Sequence, residues 1–264
     1  STGNTLSFSK NDLGKSGISI AYGANQSYDF DLKYHLYNNN LFPVTTEIAL
    51  PPNTNYQEIQ ISDITPRPLD VEIDRDGNWL AKYRLSPSQK VNISVLGFAL
   101  VSYKPNRENL SEEQRKLYLK PQEFWEVNNP EIKVLAKRLK TPEAIYKYVV
   151  ENLKYDSSRV KNEQVRAGAL GVLVNKNSAV CLEFTDLFVT LARAAGIPAR
   201  SVEGYANTSN SSDRPLSFKA VLHAWPEFYD EERKAWIMVD PTWENTTKGI
   251  DYFKYSRDLR LKTD

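Results

Sequence analysis

Cysteine is almost missing from this chain: of 264 residues one is a cysteine, Cys181, beside one methionine and two histidines, His35 and His223. A single cysteine excludes an internal disulfide and leaves the redox compartment open. His35 has no cysteine or second histidine near it in the sequence, so no metal site is expected. Long apolar runs are missing as well, and nothing approaches the ~20 residues that a membrane-spanning helix needs. Direct membrane insertion by this chain is therefore not expected. An excess of charge is the third absence, with 34 Lys and Arg against 33 Asp and Glu for a net charge of +1. That balance removes the electrostatic footprint by which nucleic acid or an anionic membrane surface is bound, and neither is an expected partner. The chain begins at Ser1 rather than methionine, which reads as a processed or truncated product, extracytoplasmic or membrane-anchored through a segment absent from this chain.

Helical periodicity is absent from the first hundred residues. Gly17 to Tyr22, Gln26 to Tyr37, Phe42 to Leu50, Tyr56 to Ile64, Leu69 to Ile73, Asn78 to Leu85 and Val91 to Tyr103 are strand-like runs, separated by Asn, Pro, Gly and Asp clusters. Asp76-Gly77 is a hairpin signal between two of them. Short strands at regular spacing predict a β-sandwich over residues 1–104. Lys104-Pro-Asn-Arg reads as a linker, and beyond it the period changes. Ser111-Glu-Glu-Gln114 is a capping box, while Asn129-Pro130 and Thr141-Pro142 open two further helices, the second running to about Leu153. Residues 105–264 are expected to form an α+β domain.

Within that stretch Cys181 stands where a helical turn should begin. Phe184, Leu187, Phe188, Leu191 and Ala195 follow at the spacing of a buried helical stripe, and Gly196 and Pro198 end the helix. A thiol in a first turn meets the positive end of the helix dipole, a position suited to a nucleophile. Read alone, a free cysteine is more often a small core hydrophobe. His223 changes the weighing. It lies in Val221 to Tyr229, and Lys234 to Trp243 follows after a polar cluster; both flanks alternate with period two and read as a hairpin. If Asp230 to Arg233 form the loop, Tyr229 faces Lys234 and His223 falls directly opposite Asp240, with Cβ atoms about 5 Å apart. A thiol, an imidazole to act as its base, and a carboxylate to hold that imidazole would then be present together.

Cys181 on a helix ending Ala-Arg-Ala-Ala-Gly-Ile-Pro-Ala-Arg200, then Ser-Val-Glu-Gly-Tyr205, His223-Ala-Trp225 and Asp240-Pro-Thr-Trp243, resembles the transglutaminase-like superfamily over about Pro130 to Trp243. The resemblance implies a papain-like catalytic domain, α+β, behind the β-sandwich. It implies Cys181 as nucleophile, His223 as general base and acid, and Asp240 as orienting carboxylate, with no cofactor. One departure is Ala179, where many members carry glycine.

The expected activity is cysteine-dependent acyl transfer on protein or peptide amides through a thioester. The alternatives are a cysteine protease or amidase using water as acceptor, and a catalytically silent binding or scaffold module. The Cys181 backbone N–H is expected to form part of an oxyanion hole; the resemblance implies a second donor from a side chain upstream of the cysteine, left open, with Tyr155 and Asn175 as candidates. Trp225, Trp236 and Trp243 are expected to shield the polar pair from water rather than to form a substrate cleft. Arg200 and Glu203 read as a strand-end ion pair, and Asp230 to Lys234 as a solvated hairpin tip.

Overall fold

The structure, a computed structural model, describes residues 6–7, 21–22, 25–161, 165–206, 222–247, 252–253 and 260–262. Of the expected strand Gly17 to Tyr22, residues 17–20 lie outside that set. Ser1–Lys104 together with Leu259–Asp264 form one compact unit, and Pro105–Asp258 form a second.

The first unit is built from antiparallel strands. β1 (Leu6–Ser7) pairs with β2 (Ala21–Tyr22). β3 (Asn25–Tyr37), β4 (Val44–Leu50), β5 (Gln57–Thr65), β6 (Asp70–Ile73), β7 (Trp79–Leu85) and β8 (Lys90–Ser102) make two three-stranded sheets, ordered β3-β8-β5 and β4-β7-β6. The period of two in the sequence is the reason: Ala81, Tyr83 and Leu85 on β7 and Ile93, Val95, Ala99 and Val101 on β8 alternate into the core. The Tyr34 hydroxyl of β3 donates to the Ala49 carbonyl of β4 at 2.8 Å and ties one sheet to the other. The β6–β7 turn forms at Asp76-Gly77, where Gly77 takes φ +84° and the Asp74 carboxylate accepts the Asp76 and Asn78 amides. Gly97 is required for a different reason, since a Cβ there would lie 2.4 Å from the Phe30 ring and 2.6 Å from the Gln60 carbonyl. The short strand β12 (Arg260–Lys262) closes the chain.

The second unit opens with helices whose starts are written in the sequence. α1 (Glu112–Leu117) begins at Ser111, whose hydroxyl accepts the Gln114 amide while Gln114 accepts the Ser111 amide. α2 (Pro130–Leu139) is capped by Asn129, and α3 (Pro142–Asn152) by Thr141. α4 (Ser157–Lys161) and α5 (Gly168–Val174) precede α6 (Cys181–Ala194); then come β9 (Ala199–Ala206), β10 (Leu222–Asp230), β11 (Ala235–Met238) and α7 (Pro241–Thr246). β10 lies between β9 and β11, antiparallel to both. The sequence pattern shows one apolar stripe on α6, whereas the structure buries every residue from Glu183 to Arg193. The cause is position: α6 packs against α2, α3 and α5 and against β9 and β10, as a helix at the centre of a unit must. Gly196, at φ +82°, ends it in a Schellman turn, with the Gly196 amide on the Arg193 carbonyl and the Ile197 amide on the Ala192 carbonyl.

Candidate active site

Cys181 is the first residue of α6 and is half-buried. Its side chain therefore stands at the end of the helix where backbone amides lack intrahelical acceptors. The turn is held by Glu183, whose carboxylate accepts the amide of Val180, the residue before the cysteine, at 3.0 Å. Upstream, Tyr155 bridges to Ala179, with the Asp156 amide on the Ala179 carbonyl at 2.8 Å. The Tyr155 ring lies 6.4 Å, centroid to centroid, from that of Phe184 in the first turns of α6. The phenol's pKa is raised well above its ordinary range, first by burial and then by the charges of Cys181 and Glu183. Asn175, the other residue considered as a donor, is exposed at the C-terminal end of α5.

His223 sits near the start of β10, opposite Gly204 of β9. Its expected partner on β11 is not opposite it. The hairpin pairs Tyr229 with Trp236 and Asp230 with Ala235, two residues away from the register read from the sequence. The turn chemistry explains the slip. Asp230 Oδ1 accepts the amides of both Glu232 and Arg233, and Lys234 takes φ +53°, so the loop is Glu231 to Lys234 and Asp230 remains in the strand. A shift of two residues preserves which face each side chain occupies. The geometry of the site therefore survives the correction, by another route.

That route is α7. β11 stops at Met238, and Asp240 is the N-cap of the helix that follows, its Oδ1 accepting the Trp243 amide at 2.9 Å. The second oxygen, Oδ2, lies 2.8 Å from His223 Nε2. Asp240 is thus brought to His223 by a helix cap and not by cross-strand pairing. Asp240 leaves Nδ1 open, and the Cys181 side chain is near enough to the imidazole to raise its pKa. Asp240 is 1 % exposed and the His223 side chain 8 %. Burial alone would push the imidazole down, but the Asp240 carboxylate and the Cys181 sulfur outweigh it and lift His223 from 6.5 to about 9. Behind α7, the Tyr146 hydroxyl donates to Glu244 at 2.5 Å and accepts the Tyr252 amide, steadying the turn that carries Asp240.

Trp225 and Trp243 flank the imidazole, with ring centroids at 6.1 and 5.7 Å. Trp236 packs instead against Tyr118, Tyr229 and Arg200. The expected Arg200–Glu203 pair does not form. Residues three apart on a strand point to opposite faces, and Arg200 instead bonds Glu227 on β10, 2.8 Å from Nε, while its guanidinium lies over the Trp236 ring. Two further buried ion pairs were not visible in the sequence: Arg159 with Glu183 at 3.0 Å, and Arg166 with Asp186, whose carboxylate also accepts the Trp125 indole at 2.7 Å. Their members are 20 or more residues apart and on different elements, and no periodicity links them. Among the described residues no three His, Cys, Asp or Glu side chains gather as a metal site, and no helix is long and apolar enough to cross a membrane.

Comparison with known proteins shows what the chain is similar to. A protein-glutamine gamma-glutamyltransferase of Pseudomonas aeruginosa is 28 % identical over 132 residues, covering 47 % of this chain and 20 % of that protein. The match thus spans about a fifth of the relative's length. Among solved structures, a candidate cysteine protease from Cytophaga hutchinsonii superposes with a TM-score of 0.60 at 18 % identity, over 91 % of this chain and 83 % of its own. The periplasmic domain of TgpA from Pseudomonas aeruginosa gives a TM-score of 0.42 at 20 % identity, over 81 % and 75 %. The family model of the transglutaminase-like superfamily matches residues 130–241. The matched segment is the one that holds Cys181, His223 and Asp240, and it is similar to the transglutaminase-like superfamily.

Proposed function

We propose that Pro105–Asp258 is a catalytic domain that transfers the acyl group of a protein or peptide carboxamide to a primary amine, with Cys181 as nucleophile, His223 as base and acid, and Asp240 as its orienting carboxylate. The observation that carries this reading is the buried imidazole bonded through Nε2 to Asp240, with Cys181 at the start of α6 near enough to raise its pKa. The Cys181 sulfur attacks the amide carbonyl, a C–S bond forms, and the C–N bond breaks as His223 passes its proton to the departing nitrogen. The thioester is then attacked by the acceptor, which gives a proton back to His223, and the sulfur leaves. Charge on the carbonyl oxygen meets the Cys181 backbone N–H and the Tyr155 hydroxyl, which its raised pKa keeps protonated. An amine acceptor is favoured by the glutamyltransferase relative, 28 % identical over 132 residues.

A glutamine-containing peptide library incubated with a labelled primary amine tests the reading. Mass spectrometry should find the label on glutamine with the parent protein and none with Cys181→Ala, while Tyr155→Phe should lower kcat by about 10²-fold with little change in KM. Glutamine converted to glutamate without label would assign water as the acceptor, making the domain an amidase or protease. Unchanged peptides would leave a binding module.

A further inference from the structure

The start of α6 is held by more charge than a helix start requires. A glutamate three residues into a helix ordinarily returns one hydrogen bond to the cap residue from a solvated position. Glu183 is 1 % exposed and accepts three donors: the Val180 amide, the Ala167 amide and the Arg159 guanidinium, each at 3.0 Å. Arg159, on α4 and 7 % exposed, also donates to the carbonyls of Ser178 and Val165, both at 2.8 Å. The segment from Ser178 to Glu183 is therefore gripped on both sides of the cysteine.

We propose that Arg159 and Glu183 are positioning residues for Cys181: the pair fixes the turn that presents the thiol, and Arg159 cancels a buried carboxylate charge that would otherwise oppose a sulfur anion in the same turn. The inference rests on the reading of Cys181 as the nucleophile. Stability alone is a poor reason for such a pair, because burying two charges costs about what their attraction returns and an apolar pair of similar volume serves as well or better. Its place in the fold supplies the missing reason. Glu183 lies two residues after Cys181, on a helix whose next ten residues are all buried, so water does little to screen its charge. The Tyr155 phenol is raised first by burial and then by its charge interactions with Cys181 and Glu183. The ionisable groups around the thiol are His223 on β10 with Asp240 behind it, Tyr155 ahead of α4, and Glu183 on α6. Arg166 also feels Glu183, but its guanidinium is committed to Asp186. Arg159 is the cation that bonds the Glu183 carboxylate directly.

Alkylation of Cys181 by iodoacetamide, followed from about pH 4 to pH 10 in the full chain, separates charge balance from mere support. Glu183→Gln removes a negative charge near the sulfur and should move the alkylation midpoint to lower pH. Arg159→Met removes a positive charge and should move it to higher pH, each by on the order of one pH unit. The double variant Arg159→Met/Glu183→Gln should return to about the parent midpoint with a several-fold lower limiting rate, because the charges again balance while the grip on the turn is lost. If Arg159→Met does not fold, the downward shift in Glu183→Gln and the restored midpoint in the double variant still decide. Midpoints that move together, or that stay fixed while only the unfolding temperature falls, would make the pair a structural support and overturn the proposal. A parent profile identical to that of His223→Ala would overturn the nucleophile itself, and the positioning role with it.

Discussion

The two oxygens of Asp240 have separate duties, and substitution can divide them. Oδ1 caps α7 and Oδ2 bonds the imidazole. Asparagine is as good an N-cap as aspartate, whereas alanine forfeits about 1 kcal/mol at such a position. Asp240→Ala should thus unfold about 1 kcal/mol more easily than Asp240→Asn, with both losing the charge that raises His223. The pH dependence follows from the sign of that shift. His223 titrates near 9 in the folded protein against 6.5 as a free imidazole, so its stabilising contribution is complete below about pH 6.5 and is lost as pH rises through 9. The amount is on the order of 3 kcal/mol. Urea unfolding at either end of that window should show the fall in the parent and little of it in Asp240→Asn. His35 is the only other histidine, so proton NMR can follow the His223 resonance directly. A titration midpoint near 6.5 in the parent would contradict the charged pair.

At the scale of elements, the sequence was legible wherever a local rule decides. Alternation placed β3 to β8 within about two residues, and Ser111, Asn129 and Thr141 marked their helices because a cap is a bond between near neighbours. The hairpin register was not legible, since it turns on one side chain: Asp230 folds back onto two loop amides and moves the pairing by two residues. α7 was missed because six residues carry too little periodicity to distinguish a helix from a turn before Pro241. α5, with two glycines in Gly-Ala-Leu-Gly-Val-Leu-Val, has poor helix propensity and is held by its packing on α6. The corrected hairpin makes its own prediction. Lys234 adopts a left-handed backbone that costs a side-chain-bearing residue roughly 1 kcal/mol. What its side chain offers in return is an exposed contact with Glu231, which is worth little. The bond from the Glu108 amide goes to the Lys234 backbone carbonyl and survives substitution. Lys234→Gly should therefore gain about 1 kcal/mol in urea unfolding. A neutral or unfavourable result would mean that the turn is not strained at this residue.

The whole molecule divides its labour by composition. Ser1–Lys104 contributes alternating strands and none of the three residues assigned to the chemistry, while Pro105–Asp258 contains all of them with a core of its own. That core runs from Ile132 on α2 through Val149 on α3 and the apolar residues of α6 to Phe228 and Ile237 in the sheet. The positions that matter most are fixed inside it as well. Glu183 and Arg159 grip the cysteine turn, α7 delivers Asp240, and β9 pairs with the strand that carries His223. A fragment spanning Pro105–Asp258 should accordingly unfold cooperatively, keep the His223 titration near 9, and alkylate Cys181 with the pH profile of the full chain. Proton NMR and iodoacetamide kinetics on the fragment and the full chain make the comparison. A fragment that folds but whose histidine titrates like a free imidazole would show that the first unit helps to build the site, and the assignment of the chemistry to Pro105–Asp258 alone would have to be given up.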